Sequence, residues 1–302
     1  MQERATVFKE HADLFKPNAT ELLNLKKTEP HVIFKEIPIT AFVSEGRQSR
    51  VSVLEYGEGD KLNRIIWKRM GVDKSLTQKE AVLLHERLQP YKKSLIDYGW
   101  VVPAIYHTEV IEIDGEYQIF SYEQFISGGD GEKMVMNPSE PNFRKWFLLR
   151  KVIESLANYP IGSTKRSEIK GVELSLLPHG LDLKLANVVL DKSGTLFFVD
   201  IFGPKELTTD GAWVTYSKKL DSLPENSLIA VCATREGSLL RLYRLLEKKW
   251  ADTGGMDTDY LRQAFGEILK HLGFPNHESD FIQKEIASGY PWLDSIYNEK
   301  AV

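Results

Sequence analysis

Cysteine is almost absent from this chain. Cys232 is the only one in 302 residues, so no disulfide can form within the molecule. It sits in the apolar stretch 228–233, and a lone buried thiol makes a reducing compartment, and so the cytoplasm, the expected location. Long apolar runs are missing too: none approaches the roughly 18 residues needed to cross a bilayer. The first ten residues, MQERATVFKE, mix charges with apolar residues and are not expected to act as a signal peptide. None of the histidines (His11, His31, His85, His107, His179, His271, His277) has a zinc-ligand spacing to another or to Cys232. There is no Gly-x-Ser-x-Gly elbow, no Gly-Lys-Ser/Thr phosphate loop, no internal repeat and no low-complexity tract. A formal net charge of −4 excludes a general attraction to nucleic acid or to anionic membranes.

What is present is a balanced globular composition, 42% hydrophobic and 27% charged, in a chain long enough for two lobes. The most informative stretch is His179 to Asp200, HGLDLKLANVVLDKSGTLFFVD. Val188-Val189-Leu190 and residues 195–199 read as two short strands, and Asp191-Lys192-Ser193-Gly194 supplies the turn between them. A hairpin of this kind carries Asp182 and Asn187 at its entrance and Asp200 at its exit. Singly, Asp and Asn are ordinary turn residues. Together, at this spacing, they suit a magnesium-nucleotide site in which Asn and Asp hold the metal and another Asp receives a hydroxyl proton.

Asp182-Leu-Lys-Leu-Ala-Asn187, an apolar strand, a turn, and a strand ending in Asp200 resemble the catalytic loop and metal-binding Asp of kinase-fold phosphotransferases. The looser form is most similar to the small-molecule branch that includes the aminoglycoside, choline and fructosamine kinases. The resemblance covers roughly residues 40–205. Two departures stand out: Gly180 occupies the place of the usual loop His, with His179 one residue earlier, and Asp200-Ile201-Phe202-Gly203 is one residue longer than the protein-kinase form. Neither removes a metal ligand or the base. The resemblance implies an α+β, bilobal fold: an N-lobe antiparallel sheet with one helix, then a mainly helical C-lobe with the catalytic hairpin. It implies ATP and Mg2+ as cofactors, Asp182 as base, Asn187 and Asp200 as metal ligands, and Lys184 at the phosphates.

Along the chain, residues 1–38 read as an extension of one or two short amphipathic helices broken by Pro17. From residue 39 to 126 the pattern is that of the N-lobe. Strands are expected at 40–44, 51–56 and 64–70, with the turn SEGRQSR between the first two. Gly46 and Ser49 in that turn offer little bulk and free backbone donors to phosphates, and the turn, with Gln48, resembles the phosphate-covering loop of the small-molecule kinases. Lys68 stands inside the apolar strand Ile65 to Met70, where its ammonium must reach solvent or an anion. Its place resembles that of the lysine that pairs the α- and β-phosphates. A helix is expected over 75–98, capped by Ser75 or Thr77 and bent or ended by Pro90. Glu80 lies on its apolar stripe as the expected partner of Lys68, with Glu86 as the alternative.

Strands at 105–113 and 118–123 lead to Phe125 and a Gly-rich polar linker, the hinge in the resembled fold. There the backbone of Glu123, Gln124 and Phe125 would meet the adenine edge. The C-lobe, 127–302, is expected to hold a helix over 140–159 with Phe143, Trp146, Phe147, Leu149, Val152, Ile153 and Leu156 as its core-facing side, a charged loop at 165–170, the hairpin, a variable stretch 204–224, and helices near 238–250, 258–272 and 278–287. The 22 residues from Asp200 to Asp221 contain no Ala-Pro-Glu closure, so the acceptor is expected to be a small-molecule hydroxyl. An atypical protein kinase and a pseudokinase acting as a nucleotide- or partner-binding module are the alternatives.

Overall fold

A computed structural model describes residues 35–38, 49–56, 63–70, 75–158, 165–177, 180–201, 206–207, 213–214, 225–253 and 258–297. The expected strand 40–44, Gly46, Gln48, His179, Phe202 and Gly203 lie outside them, as do the helices expected before residue 35. Among the described residues the protein is α+β, with eight α-helices and antiparallel sheets. It divides into two compact units, residues 1–87, 103–126 and 216–219 in one and the remainder in the other.

The first unit is built on a five-stranded antiparallel sheet in the order β1-β2-β3-β5-β4. Its strands are β1 (Lys35–Pro38), β2 (Ser49–Tyr56), β3 (Asn63–Met70), β4 (Ile105–Ile113) and β5 (Glu116–Gln124). β1 corrects the end of the expected helical extension, residues 1–38: Lys35 to Pro38 pair with Ser52 to Glu55 in the sheet. Trp67 and Phe120 pack at 5.4 Å, and with Val53, Ile65, Met70 and Ile119 they are buried.

Helix α1 (Gln78–Asp97) follows β3. Leu76 pairs with Tyr117 just before the helix, and Thr77 caps it. Ala81, Leu84, Leu88, Tyr91 and Leu95 are buried at alternating spacings of three and four, the signature of a one-sided helix. That stripe explains Pro90. It lies inside α1 without ending it, because the ring projects from an exposed position while packing on either side holds the helix.

The second unit holds the large hydrophobic core. Helix α2 (Gly131–Met136) follows strand β6 (Gly128–Asp130), and α3 (Asn142–Ala157) runs through the core. The Gly-rich linker expected at 127–131 is instead an edge strand paired with residues 189–191. A side chain at Gly128 would put its Cβ 2.2 Å from the Leu190 carbonyl oxygen. The glycine is there for close approach, not flexibility. On α3 the buried stripe is Leu148, Leu149, Val152, Ile153 and Leu156, while the expected core residues Phe143 and Phe147 are exposed.

The charged loop expected at 165–170 is also corrected. β7 (Lys165–Ile169) and β8 (Val172–Leu176) form a hairpin. Lys170 and Gly171 both take positive φ, 53° and 74°, as a two-residue turn between right-twisted strands requires. The hairpin β9 (Val188–Asp191) and β10 (Leu196–Phe198) forms as expected, closed by Asp191, whose carboxylate accepts from Ser193 and Thr195. Those hydrogen bonds hold that carboxyl below its usual range.

After the short ribbon β11 (Glu206–Leu207) and β12 (Trp213–Val214) come α4 (Glu225–Cys232), α5 (Arg235–Thr253), α6 (Thr258–His271), α7 (Asn276–Ala287) and α8 (Pro291–Tyr297). α4 and α8 have no counterpart in the sequence reading. The chain turns so tightly from α4 into α5 that a Cβ on Gly237 would lie 1.7 Å from the Ala230 carbonyl oxygen. Alanine is ordinarily the better helix residue by about 1 kcal/mol. Gly237→Ala is nevertheless expected to destabilise by about 2 kcal/mol, since the backbone itself must move. Urea unfolding checks this, and a gain in stability would refute the close approach.

Candidate functional site

The stretch from Leu181 to Asn187 is held in place by alternation. Leu181, Leu183 and Leu185 are buried in the core of the second unit, which turns the intervening Asp182 and Lys184 the other way. Backbone bonds fasten the loop: the Leu177 N–H donates to the Ala233 carbonyl at 2.7 Å, and the Leu181 N–H to the Cys232 carbonyl at 2.5 Å. A single 3-10 turn (Leu185–Asn187) then feeds β9.

Asn187 joins the two motif halves. Its Nδ2 donates to the Asp182 carbonyl at 2.8 Å and to Asp200 Oδ2 at 3.2 Å. The Val199 N–H returns a bond to the Asn187 carbonyl at 2.8 Å. With the amide nitrogen spent twice, Oδ1 is the atom of Asn187 that can face a cation. Among the described residues no three His, Cys, Asp or Glu side chains lie close enough to hold a metal by themselves. Asn187 Oδ1 and the Asp200 carboxylate are oxygen atoms of the kind that hard cations take as ligands.

Asp182 is buried and gripped from both sides. Lys184 Nζ donates to Oδ2 at 2.6 Å, and Arg241 Nη1 approaches Oδ1 at 2.6 Å as an ion pair without hydrogen-bond alignment. Burial by itself would raise this carboxyl. The nearby Arg241 and Lys184 outweigh burial and hold it down at about 2. Arg241 also donates to Cys232 Sγ at 3.3 Å. Burial pushes that thiol up to about 11, so Cys232 is a protonated, inert neighbour.

In the first unit, Lys68 is buried in the sheet. It lies opposite Ser121 and one diagonal step from Glu123 on the same face of β5. Nζ donates to Glu123 Oε2 at 2.8 Å, and Ser121 Oγ donates to Glu123 Oε1 at 2.6 Å. Lys68 thus bonds the carboxylate of Glu123, a partner that the sequence reading did not suggest beside the expected Glu80. Glu80 accepts from the Thr77 N–H and hydroxyl, both at 2.9 Å, while its own N–H donates to Thr77 Oγ1. That is a capping box, which accounts for an acid on the apolar stripe. Glu86, the other candidate, is exposed.

The expected hinge residues are occupied within their own unit. The Glu123 side chain serves Lys68, and the Gln124 N–H and Oε1 both bond to Ala104 backbone groups. Phe125 lies under the Arg64 guanidinium at 5.5 Å. Ser49 opens β2.

The structure brings Asp182, Lys184, Asn187 and Asp200 together in the second unit and places Lys68 and Glu123 in the first. Sequence reasoning missed Arg241 and the Lys68–Glu123 pair. Nothing in RLYRLL distinguishes Arg241 from Arg244, whereas Glu123 was legible as an acid two residues after a strand Ser. No family model matches the chain, and no curated protein matches it either. Among the described residues no helix is long and apolar enough to cross a membrane.

Proposed function

We propose that this protein is an ATP- and magnesium-dependent phosphotransferase of kinase-like, bilobal architecture that phosphorylates a hydroxyl of a small molecule. The observation that carries the reading is the Asn187 bridge. One amide ties the Asp182 loop to the Asp200 strand end, in the motif order that phosphoryl transfer uses. The sheet order around Lys68 and the single helix after β3 accord with the same reading.

Each residue then has a chemical task. Asp182, ionised at neutral pH, would accept a hydrogen bond from the acceptor hydroxyl and aim it at the γ-phosphorus. A carboxyl held near 2 is a weak base, so its main work is orientation. Proton transfer then completes late in a loose transition state. Each carboxylate oxygen has two lone pairs, so ion pairs to Lys184 and Arg241 leave room for the hydroxyl. Asn187 and Asp200 would hold magnesium, which when bound neutralises phosphate charge. Lys184 would add positive charge at the phosphates. The proposed phosphate role of Lys68 rests on its place in the sequence, and its ammonium is bonded to Glu123.

A second reading is favoured by the double ion pairing of Asp182: a pseudokinase that binds nucleotide and transfers nothing. Calorimetry of ATP binding with and without magnesium, on the natural protein and on Asp200→Ala, tests the proposal. Magnesium-dependent binding that falls at least about 10-fold, about 1.4 kcal/mol, in the variant is expected, since Asp200 is the charged member of the proposed metal pair. Binding that ignores both magnesium and the substitution sinks the metal assignment. ATP binding without any ADP formation selects the pseudokinase.

A further inference from the structure

We propose that Arg241, which lies outside every motif, is the positioning residue for the Asp182 carboxylate; this rests on the phosphotransferase reading above. The two cations that grip Asp182 are not equivalent. Lys184 belongs to the same loop, two residues on, and its side chain is 39% exposed on a flexible stem. It can turn toward a phosphate without disturbing the fold. Arg241 rises from α5, where Leu239, Leu240, Leu242 and Tyr243 are all buried in the core. Its side chain is 17% exposed, its guanidinium also donates to Cys232 on α4, and it pairs with Asp182 Oδ1. A guanidinium carried on a core helix and bonded also to Cys232 holds its charge beside Oδ1 at one place, which a flexible lysine stem does not.

The arrangement has a cost that packing alone does not explain. Replacing a buried ion pair by apolar residues of similar size is often neutral or stabilising. A hydrophobic pair at 182 and 241 would therefore serve the fold as well, and would leave no oriented carboxylate. Because the Arg241 charge stays beside Oδ1, Asp182 keeps an ion-pair partner even when Lys184 leaves Oδ2 for a phosphate. Displacements of about 1 Å in such a group can cost about 100-fold in rate.

The test compares Arg241→Met, Arg241→Lys and Arg241→Ala with the natural protein. It measures magnesium-ATP affinity by calorimetry, ADP release with water as acceptor, and thermal unfolding. The expected result is unchanged affinity with ADP release reduced on the order of 100-fold in Arg241→Met, partial activity in Arg241→Lys, and recovery of Arg241→Ala by added guanidinium. Should Arg241→Met fail to fold, Arg241→Lys carries the test, because it keeps the charge and loses only the fork. Unreduced ADP release in the variants overturns the role of Arg241 alone. Affinity, turnover and melting temperature falling together, without guanidinium recovery, make the residue merely structural and also overturn it. A natural protein that binds no magnesium-ATP overturns the phosphotransferase reading itself, and the role of Arg241 with it.

Discussion

Glu278→Ala is expected to destabilise the protein by about 3–5 kcal/mol, the usual result of removing one partner of a buried ion pair. Arg235 and Glu278 are both almost fully buried. The guanidinium donates through Nε to Glu278 Oε2 at 2.8 Å and through Nη2 to Oε1, above the Phe274 ring. Ser175 donates its hydroxyl to Glu278 Oε1 at 2.9 Å and its N–H to Glu236. One network thus ties β8 to α5 and α7 and holds the hairpin that leads into the Asp182 loop. Burial, reinforced by the nearby Glu278, pushes the Glu236 carboxyl up.

Without Glu278 the Arg235 charge stays buried and unpaired, and Ser175 loses its acceptor. Urea unfolding is the measurement, and a loss below about 1 kcal/mol would show that the network does not hold the unit together. The double variant Arg235→Met, Glu278→Leu should recover most of the loss, because it removes both charges rather than stranding one.

Asp182→Asn carries the second large effect. ADP formation is expected to fall about 1,000-fold, within the range measured for general-base groups, while magnesium-ATP affinity holds within a few fold. Asn preserves size but lacks the charge that orients the acceptor hydroxyl and that takes up its proton late in the reaction. Equal turnover in the variant would remove Asp182 from the chemistry.

The same substitution changes acid stability. The folded-state carboxyl is held at about 2, below its ordinary value, by Arg241 and Lys184 against the effect of burial. Its contribution is therefore present above about pH 4, the unfolded value, and is lost as the pH falls through about 2. A shift of that size corresponds to on the order of 2 kcal/mol. The natural protein should lose that amount between about pH 4 and pH 2 relative to Asp182→Asn, whose unfolding free energy should be flatter there. Parallel pH profiles of urea unfolding would refute the ion-pair account.

Much of the candidate site was legible because its signals are local. Asp191 through Gly194 between two apolar triplets fixes a hairpin through turn chemistry, and the hairpin fixes where Asn187 and Asp200 fall. Leu181, Leu183 and Leu185 also alternate, and the structure buries all three in the core, with Asp182 buried between them on the other side. Helices α1, α3, α5, α6 and α7 were recognisable for the corresponding reason, since apolar residues at three- and four-residue spacing leave them one face to bury. The misreadings have local causes as well. Lys165 to Lys170 reads as a loop because its charges hide a strand whose partner, β8, is needed to reveal it. Gly128 and Gly129 read as a linker because the sequence does not distinguish a glycine needed for freedom from one needed for closeness. Phe143 and Phe147 read as core because an aromatic on a helix does not say how far the neighbouring surface extends.

By itself the sequence determined the elements and the chemistry within them: the hairpin, the leucine alternation, the order of Asp182, Asn187 and Asp200, and the lysine inside a strand. Only the tertiary structure decided which charge meets which. Glu123 is brought to Lys68 by the register of β5 against β3, Glu80 closes a capping box with Thr77, and Arg241 reaches Asp182 because α5 packs beside the loop. Hydrophobic periodicity is written in every turn of a chain. A buried ion pair between distant residues is set by how elements pack, and leaves no periodic trace in the sequence.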